Sequence, residues 1–202
     1  MVSQVKVGLI PALLGTLAIL ASPIAAQPDA DELGVGSFLV ASRSLLDPNF
    51  DRTVVFLLDY NENGALGVII NRPTQVKLGE MVEDMEGVQE RPETVGVGGP
   101  VAHWQLVLLI RSATDLEGAE RVIEDVHFTA SRLVLEKVLE SESEFRIYAG
   151  YAGWSAGQLE HEIDRGSWHV LPGDPDMVFD PVPQELWREL ISRGEAQWAS
   201  LR

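Results

Sequence analysis

Residues Thr53 to Asn71, TVVFLLDYNENGALGVIIN, decide how the rest of the chain is read. Two apolar runs, Thr53 to Tyr60 and Ala65 to Asn71, flank Asn61-Glu62-Asn63-Gly64. Asn and Gly tolerate the positive φ of a tight turn, so an Asn-Gly step between β-rich runs predicts a hairpin. Neither run alternates apolar with polar residues. Near-continuous Val, Ile, Leu and Phe implies cover on both faces, so the hairpin is expected at the centre of a sheet.

Outward from it, Gly36 to Ser42 reads as a short strand. Downstream, Leu78 to Glu86 sets Leu78, Met81, Val82 and Met85 at helical spacing, and Glu86 to Glu93 is a polar loop. Thr94 to Val97 is a short strand, Gly98-Gly99-Pro100 a sharp turn, and Gln105 to Arg111 a buried strand. Ser112 to Glu120 reads as an acidic surface loop. Thr129 to Leu139 predicts a helix with Leu135, Val138 and Leu139 inward, followed by a strand over Phe145 to Ala149. Ser155 to Arg165 and Pro183 to Arg193 predict helices closed by Gly166 and Gly194. In the last, Leu186, Trp187, Leu190 and Ile191 share one face. Hairpins mixed with helices argue for an α+β fold. One domain is expected over residues 36–194, with a free mature N-terminus at 27–35 and a tail at 195–202.

The chain has 202 residues, 46% apolar and 23% charged, with no Cys and a net charge of −16. Absence of Cys excludes disulfides, thiolate zinc sites and a cysteine nucleophile. No two Lys or Arg residues lie within four positions of each other, so no basic stripe exists in sequence. Phosphate neutralisation dominates nucleic-acid affinity, and this balance opposes direct DNA binding unless folding gathers residues such as Arg43, Arg52 and Arg72.

Residues 1–26 differ from everything after them. Lys6 is their single charge, an apolar run follows from Val7 to Ala21, and Ser22-Pro23-Ile24-Ala25-Ala26 is a small-residue exit. This is the pattern of a secretory signal cleaved after Ala26, and a periplasmic or secreted protein is expected. The alternatives are an uncleaved membrane anchor, or a cytoplasmic protein whose start codon lies further downstream. Gly8, Pro11, Gly15 and Pro23 weaken a stable span.

Gly153-Trp154-Ser155-Ala156-Gly157 matches the G-x-S-x-G nucleophile elbow. Its downstream partners would be Asp164 and His169, too close together to come from separate strand-end loops. Ser155 with Gln158 also forms a capping box, which explains the serine without a triad. His103, His127, His161 and His169 show no paired metal spacing. Glu160, His161 and Asp164 read as a solvated helix edge, and no metal or cofactor is expected. Gly96-Val97-Gly98-Gly99-Pro100 lacks the Lys-Ser/Thr of a P-loop. The five tryptophans are dispersed, and most are expected in the core.

Several ordered motifs carry a family resemblance. Gly36-Ser37-Phe38-Leu39-Val40-Ala41, Leu46-Asp47-Pro48-Asn49-Phe50, Asn63-Gly64-Ala65-Leu66-Gly67 and Asn71-Arg72-Pro73 resemble the start of the YqgE/AlgH family. Gly98-Gly99-Pro100-Val101, Gly150-Tyr151-Ala152-Gly153-Trp154, Gly157-Gln158-Leu159-Glu160, Val178-Phe179-Asp180 and Leu186-Trp187-Arg188 continue it. The resemblance implies an α+β fold with a bifurcated, partly barrel-like, mostly antiparallel sheet flanked by helices. It brings no catalytic residues. One branch carries the label of transcriptional regulator, through an association with alginate production. Relatives are generally cytoplasmic, and an exported copy cannot act directly on transcription.

If a ligand site exists, it is expected where glycine turns and polar strand ends meet: Arg43, Asn71, Arg72, Gly99, Tyr151 and Trp154. Arginines offer forked donors to an anion and an aromatic wall orients an apolar part. The structural alternative is that Asn71-Arg72-Pro73 ends a strand and Trp154 packs under a helix. The leading functional expectation is a noncatalytic binding or regulatory protein that works through a protein partner. A hydrolase-type enzyme on a small anionic substrate and a DNA-binding regulator remain the alternatives.

Overall fold

The computed structural model describes residues 33–82, 84–85, 87–179 and 182–200. The leader expected over residues 1–26 lies outside the described residues. In chain order the elements are β1 (Phe38–Ala41), β2 (Val54–Asn61), β3 (Gly64–Ile69), α1 (Leu78–Met81), β4 (Val95–Val97) and β5 (Val101–Arg111). They continue with β6 (Glu120–Ile123), β7 (Val126–Thr129), α2 (Arg132–Leu139), β8 (Phe145–Ser155) and α3 (Gln158–Asp164). β9 (Trp168–Leu171), α4 (Pro175–Val178) and α5 (Pro183–Ser200) complete the order.

The strands run β6-β7-β5-β8-β3-β2-β1-β9, with β4 attached to β8 off this path. Every pairing is antiparallel except β4 with β8. The fold is α+β and the sheet is not closed into a barrel. Its two end strands approach where Ile123 packs against Gly36 and Gly173, but they do not pair.

The hairpin expected from Thr53 to Asn71 is central. Asn61 pairs with Gly64 across a two-residue turn, and β1 and β8 flank the hairpin on its two edges. Alternate residues enter two different cores. Val54, Phe56, Leu58 and Val68 face the core beneath α5, whereas Val55, Leu57, Ala65 and Ile69 face Trp154, Trp168 and Leu159 of α3. A third core lies between α2 and the other end of the sheet, built on Leu108, Ile110, Val134, Leu135, Val138 and Ile147.

The sheet forks on β8. Its first half pairs β4 from Ile147 to Ala149, and its second half pairs β3 from Ala152 to Ser155. Gly98 sits at the joint: its N–H donates to Ala149 O (2.8 Å) and its carbonyl accepts from Ile69 N (2.7 Å). A Cβ there would lie 2.2 Å from Gly150 O, so only glycine lets the two branches meet.

Several boundaries differ from the sequence reading. The helix expected over Leu78 to Glu86 is a single turn. Met85 and Val88 still reach the third core, but from turns. The strand expected over Phe145 to Ala149 continues to Ser155, because β3 and β5 hold its glycine-rich second half as a ladder. The hairpin of β6 with β7, and the elements β9 and α4, lie where no element was expected. The last helix does not stop at Arg193; α5 runs through Gly194 to Ser200, so residues 195–200 are helix rather than tail. Gly194 provides space instead of a cap: a Cβ there would meet His169 Cβ at 2.8 Å. Among the described residues no helix is long and apolar enough to cross a membrane.

Candidate functional site: a bulged strand carrying an exposed tryptophan

β5 pairs with β8 at Val101–Tyr151 and again at Leu106–Ala149. Residues 102–105 of one strand therefore face Gly150 alone in the other. Such an excess cannot stay in the ladder and must leave the plane of the sheet. Ala102 takes φ 48°, a left-handed conformation that costs a residue with a Cβ about 1–3 kcal/mol. The chain then lifts His103, Trp104 and Gln105 into solvent, with Trp104 83% exposed. From Val107 to Ile110 the strand is buried again.

Beside Trp104 lies a groove of about 270 Å³, with an apolar lining that includes Val82, Leu106, Leu108 and Leu135. Gln105, Ser131 and Arg132 supply its polar lining. The Arg132 guanidinium is held by Asp84 (2.7 Å) and Glu136 (3.4 Å). Its hydrogen bond to Asp84 keeps that carboxyl below the usual carboxylate range. Leu133, on the same helix, is 69% exposed. A large flat indole beside an apolar groove is suited to contact with another protein surface.

The six residues expected to line a cleft divide into three groups. Gly99 and Tyr151 lie at the base of the bulge: Tyr151 pairs with Val101, and a Cβ on Gly99 would meet the Tyr151 carbonyl carbon at 2.1 Å. Asn71, Arg72 and Trp154 all hold the loop at 48–54. Asn71 Oδ1 accepts from Val54 N (2.8 Å) and its Nδ2 donates to Arg52 O (2.9 Å). Arg72 donates to the carbonyls of Asn49 (2.7 Å), Asp51 (3.2 Å) and Pro48 (3.4 Å). Phe50 stacks on Trp154 with centroids 6.1 Å apart, and Trp154 Nε1 donates to Glu162 Oε2 (3.0 Å). Arg43 stands apart, paired with Glu195 at 2.7 Å and lying 5.4 Å from the Trp187 ring centroid.

Ser155 ends β8 and is exposed. Its hydroxyl donates to Gln158 Oε1 (3.0 Å), as does its backbone N–H (3.1 Å). Gln158 does reach back as a capping box requires, but the helix N-cap is Gly157, at φ 73°. The expected capping serine thus belongs to the strand, because pairing with Gly64 carries β8 one residue further than its glycines suggest.

Trp104 was missed by the sequence reading, which assigned most tryptophans to the core. Trp154 and Trp168 are buried as expected. A hint was present in the sequence: Trp104 stands between the polar His103 and Gln105, four residues after the Gly98-Gly99-Pro100 turn.

A forked, mostly antiparallel sheet with helices over its faces defines an α+β class shared with solved proteins. The solution structure of the AlgH protein from Pseudomonas aeruginosa superposes with a TM-score of 0.68 at 30% identity, covering 84% of this chain and 91% of that one. A crystal structure of a Corynebacterium diphtheriae protein matches with a TM-score of 0.68 over 80% of this chain and 87% of its own, at 24% identity, and shows the fold alone. The chain belongs to the AlgH-like family, whose profile matches residues 38–199. A UPF0301 protein of Streptomyces coelicolor is 41% identical, over 78% of this chain and 85% of the relative. Another, from Chlorobium luteolum, is 36% identical over 80% and 87%.

Proposed function

We propose that this protein is a noncatalytic binding module acting through a protein partner that docks on the Trp104 bulge. Exported by the segment 1–26, it would meet that partner in the periplasm or outside the cell. The observation that carries the reading is an 83% exposed tryptophan raised on a strained bulge beside an apolar groove. Aromatic anchors of this kind dominate protein–protein binding energy. With 31 acidic against 15 basic residues, the surface favours a partner whose contact face is basic. Several of the arginines are tied up in ion pairs, as in Arg43–Glu195, Arg91–Glu93, Arg121–Asp115 and Arg132–Asp84, which counts against a broad phosphate-binding face. Ser155 has Gln158 as its hydroxyl partner, which gives the hydrolase alternative no support.

Affinity capture from the exported fraction tests this with three baits: wild type, Trp104→Ala and Leu46→Ala. Leu46 is 93% exposed and serves as an apolar control away from the bulge. A basic partner retained by wild type and Leu46→Ala but lost by Trp104→Ala is the expected result. Equal recovery by all three baits would overturn the reading.

A further inference from the structure

The fork in the sheet leaves a second concavity. Where β3 ends at Ile69 and β4 takes over the edge of β8, a cleft of about 390 Å³ opens. Ile70, Pro73, Ile147 and Val178 give it apolar walls, and Thr94 and Gln184 add polar groups. It shares no lining residue with the groove beside Trp104. Its volume falls within the range of small-molecule sites.

Two side chains give the cleft its chemistry. Tyr148 is 95% buried as a residue and lines the cleft, and its hydroxyl makes no hydrogen bond among the described residues, so it is open to a molecule bound there. Burial pushes its phenol well above the ordinary tyrosine value, against the opposing pull of the Arg146 charge, so it stays a neutral donor. Gly96 faces the ring: a Cβ there would lie 2.8 Å from Tyr148 Cδ1, so the missing side chain seats the tyrosine.

Arg146 is the second. Backbone carbonyls orient its guanidinium, Phe179 O at 2.8 Å and Phe145 O at 3.3 Å, and among the described residues its ion-pair partner is Glu144, at a long 3.9 Å. Carbonyls aim the group without cancelling its charge, and five donors leave several unspent. Glu93, the other charged residue of the described lining, is neutralised by a forked contact from Arg91 at 2.7 and 3.1 Å. In a protein of net charge −16, the described lining of this cleft therefore offers one cation with donors to spare and one neutral hydroxyl donor.

We propose that the fork cleft binds a small organic monocarboxylate with a branched or aromatic apolar body, its carboxylate held between Tyr148 and Arg146. A planar carboxylate matches one guanidinium plus one hydroxyl. A phosphate ester carries more charge than one arginine balances.

Titration of the full-length protein by amide NMR tests this, with phenylacetate and isovalerate as probes and phenylacetamide and inorganic phosphate as controls. Saturable shifts at Thr94, Gly96 and Ile147 are expected from either carboxylate at millimolar concentration, and at least tenfold weaker ones from the amide and phosphate. Tyr148→Phe keeps the ring and the fold and is expected to weaken carboxylate binding about tenfold, as is Arg146→Gln. Trp104→Ala is expected to leave it unchanged, which separates this site from the partner surface. No saturable shift from either carboxylate, equal binding of the amide, tighter binding of phosphate, or full affinity in Tyr148→Phe would each overturn the proposal.

Discussion

The β2–β3 hairpin and the first half of β5 are both β-structure in the same sheet, yet they treat their side chains in opposite ways. In the hairpin every residue from Val54 to Leu58 is buried, and the ladder departs from regular pairing only between Leu57 and Asp59. In β5 four residues opposite the single Gly150, an excess of three, put an alanine at positive φ and a tryptophan in water. The hairpin stabilises the molecule through apolar area removed from water. The bulge exposes apolar area and stores strain, neither of which helps the isolated chain. What holds the fold and what can meet a partner are thus separated along the sheet.

The contrast is sharpest for Phe56→Ala, in the middle of the hairpin. Truncating this fully buried ring, 5.7 Å from that of Phe38, is expected to cost about 3–5 kcal/mol in denaturant unfolding. Asn71→Ala removes a buried acceptor and strands the Val54 N–H, for an expected loss of about 1–3 kcal/mol by the same measurement. Acid probes the polar periphery. Arg91's hydrogen bonds hold the Glu93 carboxyl below its usual value of 4.5, so its folded pKa lies under the unfolded one. The resulting stability is present above about pH 4.5 and lost as pH falls through the folded value, and Glu93→Gln is expected to flatten that part of the stability–pH curve.

At the bulge the signs change. Ala102→Gly relieves the left-handed alanine and is expected to raise stability by about 0.5–1 kcal/mol, where the same exchange inside the hairpin would lower it. Smallest of all, Trp104→Ala and Ser155→Ala are expected to shift stability by less than about 0.5 kcal/mol, since both side chains are exposed. A large loss for Trp104→Ala would mean that the indole supports the fold and that the two regions are less distinct than their burial suggests.

The legible part of the sequence was the part governed by burial. Continuous apolar runs around an Asn-Gly turn placed the hairpin and its two-sided cover, and the face of α5 bearing Leu186, Leu190 and Ile191 followed from helical spacing. Glycines misled where they serve packing between elements distant in sequence. Gly194 accommodates His169, and the glycines of β8 serve the fork, so neither signals an end. Of the expected site, Gly99 and Tyr151 fall beside the bulge, but Trp104 itself was overlooked, because its exposure depends on a register mismatch between β5 and β8 at which its polar neighbours only hint. The Tyr148 cleft was equally invisible, since it needs the fork and the start of α5 to meet.

The most direct measurement is site-specific photo-crosslinking in the exported fraction, with a photoreactive phenylalanine placed at Trp104 in one sample and at Leu46 in the other. A discrete adduct with one basic protein at position 104, and none at the equally accessible position 46, is expected if the bulge is the docking surface. Matching adducts at both positions, or none at 104 while the protein is folded, would contradict it.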